Sequence, residues 1–183
     1  NTYAENRNGL ERLIGKYIQG KIFESSSMIL TISDGLTDYY KGAYPKHQSK
    51  FQTLQHGFEI KYATLELPKK LTNKIKIAFT GSLNSSCKEA AHRLFQVIGK
   101  NKKYELHIFS GTPKQVFQKI IPEKADFVYH GFIPEADFEM AIRSCDICLV
   151  AHGFKGDIHP VEYQTIFPTR TIPLLSMRVP ILF

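Results

Sequence analysis

The chain has 183 residues, 43% of them hydrophobic and 22% charged, with 24 Lys and Arg against 17 Asp and Glu and a net charge of +7. This is enough chain for a full hydrophobic core and too little charge for a disordered one. There is no run of about 18 or more apolar residues, which excludes a spanning helix, and no secretory signal is visible.

Residues 8–19 read as a helix, with Leu10, Leu13, Ile14, Tyr17 and Ile18 on one face and Gly20 as its terminator. Residues 27–32 read as a buried strand. Ser33 or Asp34 then caps a short helix through Tyr40, because either side chain accepts from the free amides of a first turn. Residues 41–52 are irregular, 53–55 form a short strand and 56–59 a turn. Residues 61–73 carry Pro68 and several charges and read as a linker. Regular structure resumes with a strand at 75–79, the small-residue loop Thr80-Gly81-Ser82-Leu83-Asn84, and a helix over 88–98 capped by Ser86. A strand at 104–109 and a helix over 113–120 follow.

Residues 125–151 carry the strongest pattern. A strand at 126–129 ends at His130-Gly131-Phe132-Ile133-Pro134. A helix with Phe138, Met140, Ala141 and Ile142 on its apolar face leads to Ile147-Cys148-Leu149-Val150-Ala151, a run suited to a strand buried on both sides. Residues 151–166 show no periodicity. A helix over 169–177 opens at Pro168, and 181–183 begin a last strand. The alternation predicts an α/β fold built on a doubly wound, Rossmann-like parallel sheet. Ligands of such sheets bind at the carboxyl ends of the strands.

Three cysteines argue against a disulfide framework and for a reducing, cytoplasmic compartment. Cys145 and Cys148 form a C-x-x-C, but at a helix-to-strand junction rather than at a helix N-terminus, and no second pair completes a zinc set. They are read as core residues. The basic excess suits phosphates or the anionic headgroups of a membrane surface. The charges are scattered, with no arginine-rich arm and no nucleic-acid motif, so nucleic acid is not an expected partner.

Four stretches are candidate sites. The Gly81–Leu83 loop sits where a phosphate can approach backbone amides at a helix start, though it also reads as an ordinary strand–helix turn. Phe167-Pro168-Thr169-Arg170 offers a hydroxyl and a guanidinium for a diphosphate, or simply a surface arginine. The loop His152–Glu162, with Gly153, reads as ligand-contacting rather than metal-binding, because its spacing fits no metal motif. His130, Phe132 and Ile133 offer a shallow slot for a planar base, or a structural turn.

In order along the chain, these stretches resemble the C-terminal donor-binding domain of GT-B glycosyltransferases, especially the retaining family 4 group. The carriers are Ile77–Leu83, Val128–Pro134 with the segment to Val150, and Phe167-Pro168-Thr169-Arg170 through Val179-Pro180-Ile181-Leu182, which is similar to the family's F-P-[ST]-K helix and G-x-P-[IV] strand. Residues 28–40 and 56–59 resemble the end of the acceptor domain and the hinge.

The resemblance implies residues 1–60 as the end of an acceptor domain with the hinge, 61–73 as linker and 74–183 as the donor-binding domain, incomplete at both ends. It implies transfer of a sugar from a nucleotide diphosphate sugar, without a metal or other cofactor. The acceptor would be a glycan or lipid-linked molecule in cell-surface polysaccharide synthesis, at the inner membrane face. Gly81, Ser82 and Leu83 would face the diphosphate and His130, Phe132 and Ile133 the base. His152, Gly153, Glu162 and Thr169 would contact the donor, and Arg170 would stabilise the departing diphosphate. The sequence departs from the family in three places. Thr165 and Pro173 stand where the family has an E-x7-E pair, Ser82 where an arginine is usual, and Arg178 near a usual glycine. A non-catalytic binding module and a GT-B nucleotide-sugar epimerase are the alternative functions.

Overall fold

The computed structural model describes residues 7–57, 73–154, 156 and 158–183. The chain divides into two compact units, residues 1–57 with 154–167 and residues 58–153 with 168–183. Residues 154–167, which the sequence reading leaves inside a 74–183 domain, pack with the first unit. The expected linker falls outside the described residues except for Asn73.

The first unit contains helix α1 (Gly9–Ser25), strand β1 (Ile29–Thr31), helix α2 (Asp34–Ala43), a 3-10 turn at Pro45–Lys50, strand β2 (Phe51–Thr53) and helix α6 (Pro160–Thr165). β1 and β2 pair in parallel. Their core is aromatic: the Phe23 ring meets Tyr40, Tyr44 and Phe51 edge-on at 5.4, 4.9 and 5.1 Å. Such contacts add to the gain from burial, and they explain two departures from the sequence reading. α1 runs through Gly20 to Ser25 because Phe23 anchors the extra turn in this cluster, which outweighs the ~1 kcal/mol cost of a helical glycine. Strand β2 starts at Phe51, two residues earlier than expected, because that ring is the one buried. The stripe Leu10, Leu13, Ile14, Tyr17 and Ile18 is exposed, as is Leu30 of β1. Ser33 caps α2 as expected, accepting from the Leu36 amide at 3.2 Å.

The second unit is a five-stranded parallel sheet of β3 (Ile75–Thr80), β4 (Tyr104–Phe109), β5 (Phe127–Gly131), β6 (Ile147–Leu149) and β7 (Ile181–Leu182), in the order β5-β4-β3-β6-β7. The fold class expected from the sequence is the one observed. Alternation along the strands explains it. Ile77, Phe79, Leu106, Ile108 and Leu149 point to one face and pack on α3 (Lys88–Gly99) and α4 (Lys114–Gln118) through Phe95 and Phe117. Ala78, Phe109, Cys148 and Val150 point to the other. They meet Ile142 of α5 (Glu135–Arg143) and Leu174 of α7 (Thr171–Ser176). A sheet covered on both sides needs apolar residues at every strand position, hence the run at 147–151. Cys87, Cys145 and Cys148 are free and buried, as the core reading requires. Burial raises the thiol of Cys145 to about 11 and that of Cys148 to about 12.

Other expectations need correction. Met140 faces solvent at 68% exposure, because α5 turns Ile142 and Arg143 inward instead. Ser86 does not cap α3: its hydroxyl bonds the Asn84 side chain at 2.6 Å, and Cys87 is the N-cap residue without a side-chain bond. Residues 160–165 form α6 where no periodicity was visible, because six residues are too few to show one.

Arg178, between α7 and β7, has φ of 56°. This left-handed conformation is costly for a residue with a Cβ. Arg178→Gly is therefore expected to raise unfolding stability by about 1 kcal/mol, measured by denaturant melts.

Candidate functional site

β3 is the centre of the second unit, with β4 on one side and β6 on the other. The strand order reverses at β3, so the crevice outside the carboxyl ends of β3 and β6 is the topological switch point, where open α/β sheets bind ligands. The loop after β3 begins at Gly81, with φ of 84°, a conformation that favours glycine. Its amide donates to the Phe109 carbonyl at 3.0 Å.

Arg170 lies directly over this turn. Its Nη1 donates to the Thr80 carbonyl at 2.8 Å, and its guanidinium carbon is 5.9 Å from the centre of the Phe79 ring. A Cβ built on Gly81 would come within 3.4 Å of that carbon. The structure thus brings together two candidates that are 89 residues apart in the chain. A guanidinium has five N–H donors, and the Thr80 carbonyl is its only hydrogen-bond partner among the described residues. The result is a half-buried, fixed positive charge with donors to spare. The helix behind it is shorter than expected: α7 spans Thr171–Ser176, with Arg170 as its N-cap residue. Thr169 is exposed beside it. The charge at this place is therefore the guanidinium's own.

The loops at the carboxyl ends are tied to one another. Leu83 donates its amide to the Thr112 hydroxyl at 3.0 Å, and the Tyr129 hydroxyl donates to the Thr112 carbonyl at 2.7 Å. On the other side, Gly153 donates its amide to the Ser86 carbonyl at 3.2 Å. Gly81, Ser82, Leu83, Gly153 and Arg170 thus gather around the switch point, with His152 next to Gly153 in the chain. Thr112, Tyr129 and Ser86 hold the loops there. Sequence reading missed Thr112 and Tyr129 in this role, since spacing does not show which loops a side chain ties together. Glu162 lies on α6 and belongs to the first unit.

His130 lies in β5, which runs two residues past the expected end to Gly131, and Phe132 and Ile133 follow it, two strands from β3, or about 10 Å by the usual strand spacing. Phe132 is 82% exposed, and Ile133 packs partly against the core. The His130 ring stacks on Phe109 at 4.4 Å and 7°. Its Nε2 is 2.9 Å from Nδ1 of His107, whose Nε2 lies 3.4 Å from the Glu105 carboxylate. His130 is thus engaged with the sheet through its ring. His107 was missed because a single histidine in a strand of apolar residues carries no motif.

Solved structures share this fold. One is TarM of S. aureus, a mutant of which was crystallised with fondaparinux, alpha-GlcNAc-glycerol and UDP. The TM-score is 0.55 at 12% identity, over 74% of this chain and 27% of TarM. The present chain thus matches little more than a quarter of TarM's length. At this identity the likeness concerns the fold alone. No family model matches the sequence, and no curated protein matches it either. Among the described residues no group of three or more His, Cys, Asp or Glu is placed to hold a metal, and no helix is long and apolar enough to cross a membrane.

Two tests follow from this geometry. Gly81→Ala should cost about 1–2 kcal/mol of stability from its backbone angle, measured by denaturant melts, while the added Cβ meets the guanidinium only at ordinary contact distance. The second test concerns His107 and His130. Burial depresses both imidazoles, with a further lowering of His130 by His107, while Glu105 opposes the shift at His107. Depressed pKa values mean that the folded state binds fewer protons, so their contribution is present above the unfolded histidine value of about 6.5 and is lost as pH falls below it. The fall in melting temperature between neutral and mildly acidic pH should be smaller in the double variant H107L/H130F. An equal fall would assign the effect to other groups.

Proposed function

We propose that the second unit binds the diphosphate of a nucleotide sugar, and that the chain belongs to an enzyme transferring that sugar to a glycan or lipid-linked acceptor. The observation that carries this reading is the Arg170 guanidinium, fixed over Gly81 at the switch point with most of its donors uncommitted. Arginine matches diphosphate geometry because its fork donates to two oxygens at once. The glycine lets the guanidinium lie close against the turn.

In this reading the role of Arg170 is electrostatic. As the bond from sugar to diphosphate breaks, negative charge grows on the leaving oxygens, and a preorganised cation there lowers the barrier. Gly81, Ser82, Leu83, Gly153 and Thr169 line the diphosphate. His152 is assigned to the sugar side, and the loop through Phe132 and Ile133 to the base. No metal is invoked, since the guanidinium supplies the countercharge. The likeness to TarM, whose crystals contain UDP and a GlcNAc-glycerol, supports a nucleotide-sugar ligand. Sequence order along the GT-B pattern supports the same reading. With it go a role in cell-surface polysaccharide synthesis and a place at the cytoplasmic membrane face.

One observation favours a second reading. Pro173 and Thr165 occupy the positions of the family's glutamate pair, and Pro173 in α7 offers no side-chain acceptor for ribose hydroxyls. A domain that binds without transferring is consistent with that replacement. Calorimetric titration with UDP, GDP and ADP in metal-free buffer tests the donor site. One nucleotide should bind, and Arg170→Ala should weaken it by about 1.5–3 kcal/mol, the worth of a charged hydrogen bond. Binding unaffected by this variant would remove Arg170 from the site.

A further inference from the structure

The first unit contains a cleft of about 320 Å³ lined by Ile32, Ser33, Asp34, Gln55, His56 and Phe167. It lies where β1 and β2 end and α2 begins. The size is near the lower end of small-molecule sites, roughly 300–1,000 Å³, and suits a monosaccharide or disaccharide. We infer that this cleft is a binding site for a neutral, hydroxyl-rich sugar.

The lining divides into groups that are committed and groups that are not. Ser33 is committed: its hydroxyl accepts from the Leu36 amide and donates to the Thr165 carbonyl at 3.3 Å. Asp34 is half committed. Its Oδ1 accepts from Thr53 at 2.6 Å, at the end of a hydroxyl chain in which Thr31 contacts Thr37 and Thr37 lies 2.7 Å from Thr53. That chain fixes the carboxylate and leaves Oδ2 available. The Gln55 amide has no hydrogen bond among the described residues, and the His56 ring makes only a stacking contact there, on Phe167 at 6.3 Å and 21°. Phe167 is 37% exposed. The cleft therefore offers a held carboxylate oxygen, a carboxamide, an imidazole and a flat aromatic surface.

This combination selects one ligand class. The Gln55 carboxamide bonds neighbouring hydroxyls in pairs, since it presents two polar atoms in a plane, and the free Asp34 oxygen accepts from a further hydroxyl. The aromatic face receives the C–H side of a pyranose ring. No lysine or arginine lines the cleft, and Asp34 repels anions, so a phosphate or carboxylate ligand is disfavoured. No three-ligand metal group exists among the described residues. If the transfer reading above holds, on which this assignment of role rests, the sugar is the acceptor. The binding itself does not depend on that reading.

The test is an NMR titration of the 183-residue chain, in the absence of nucleotide, with methyl α-D-glucopyranoside, N-acetylglucosamine and maltose. At millimolar sugar, the amides of Ser33, Asp34, Gln55 and His56 should shift and saturate for at least one probe. Asp34→Asn and Phe167→Ala, each checked for native amide dispersion, should each weaken that binding about tenfold. Glucose 6-phosphate should bind more weakly than the neutral glucoside. No saturating shift at these residues with any neutral sugar, shifts unchanged in both variants, or tighter binding of the phosphorylated sugar would each overturn the proposal. Because nucleotide is left out, failure here leaves the donor-site titration standing, and failure there leaves this result standing.

Discussion

A parallel sheet has to be covered on both faces, and in the second unit everything else follows from meeting that requirement. Phe79 turns to α3 and α4 and Ala78 to α5 and α7, and neither is exposed at all. With both faces closed, the interior has no room for a solvated ligand. Polar chemistry is displaced to the strand ends, and the crossover from β5 past β4 and β3 to β6 opens a crevice at one of them. Arg170 reaches that crevice because Leu174, one turn further along α7, is buried beneath it and fixes the helix. The core and the charge are two outcomes of the same packing.

The first unit solves a different problem with different means. Its two-stranded sheet is too small to cover itself with aliphatic side chains, so three tyrosine and phenylalanine rings gather around Phe23. The tyrosines bring hydroxyls into that cluster, and that of Tyr40 accepts from the Gln19 side-chain amide at 2.9 Å. A hydroxyl network among Thr31, Thr37 and Thr53 then passes beneath α2 and ends on Asp34. Buried polar groups of this kind carry a desolvation cost unless every donor has an acceptor. A terminal carboxylate meets that condition, and it is held still in doing so.

Much of the second unit was legible in the sequence because alternation and glycine placement are local signals. Ile75–Phe79 and Tyr104–Phe109 are recognisable as strands from their own side chains, and the apolar run 147–151 marks β6 but overruns it by two residues, since the strand ends at Leu149. Gly81 and Arg170 were each singled out, but their contact was not derivable from spacing, since it depends on how the 88 intervening residues fold. The first unit was read less well. The exposed stripe on α1 carries the same periodicity as a buried one, so periodicity alone could not place it. Phe23, which does anchor the helix, lies past a glycine that looked like an end. Nor could composition show that 154–167 packs with residues 1–57, because those contacts are long-range.

The burial of all three cysteines has a practical consequence. Cys87, Cys145 and Cys148 are 2%, 6% and 0% exposed. Reagents attack the thiolate, and a thiol this inaccessible reacts slowly; burial also holds Cys145 and Cys148 protonated. A cysteine introduced on the surface would therefore be modified ahead of the native ones, without first replacing them. Paired fluorophores, one on α2 and one on α3, would then report the separation between the two units in solution and its change when a nucleotide or sugar is added.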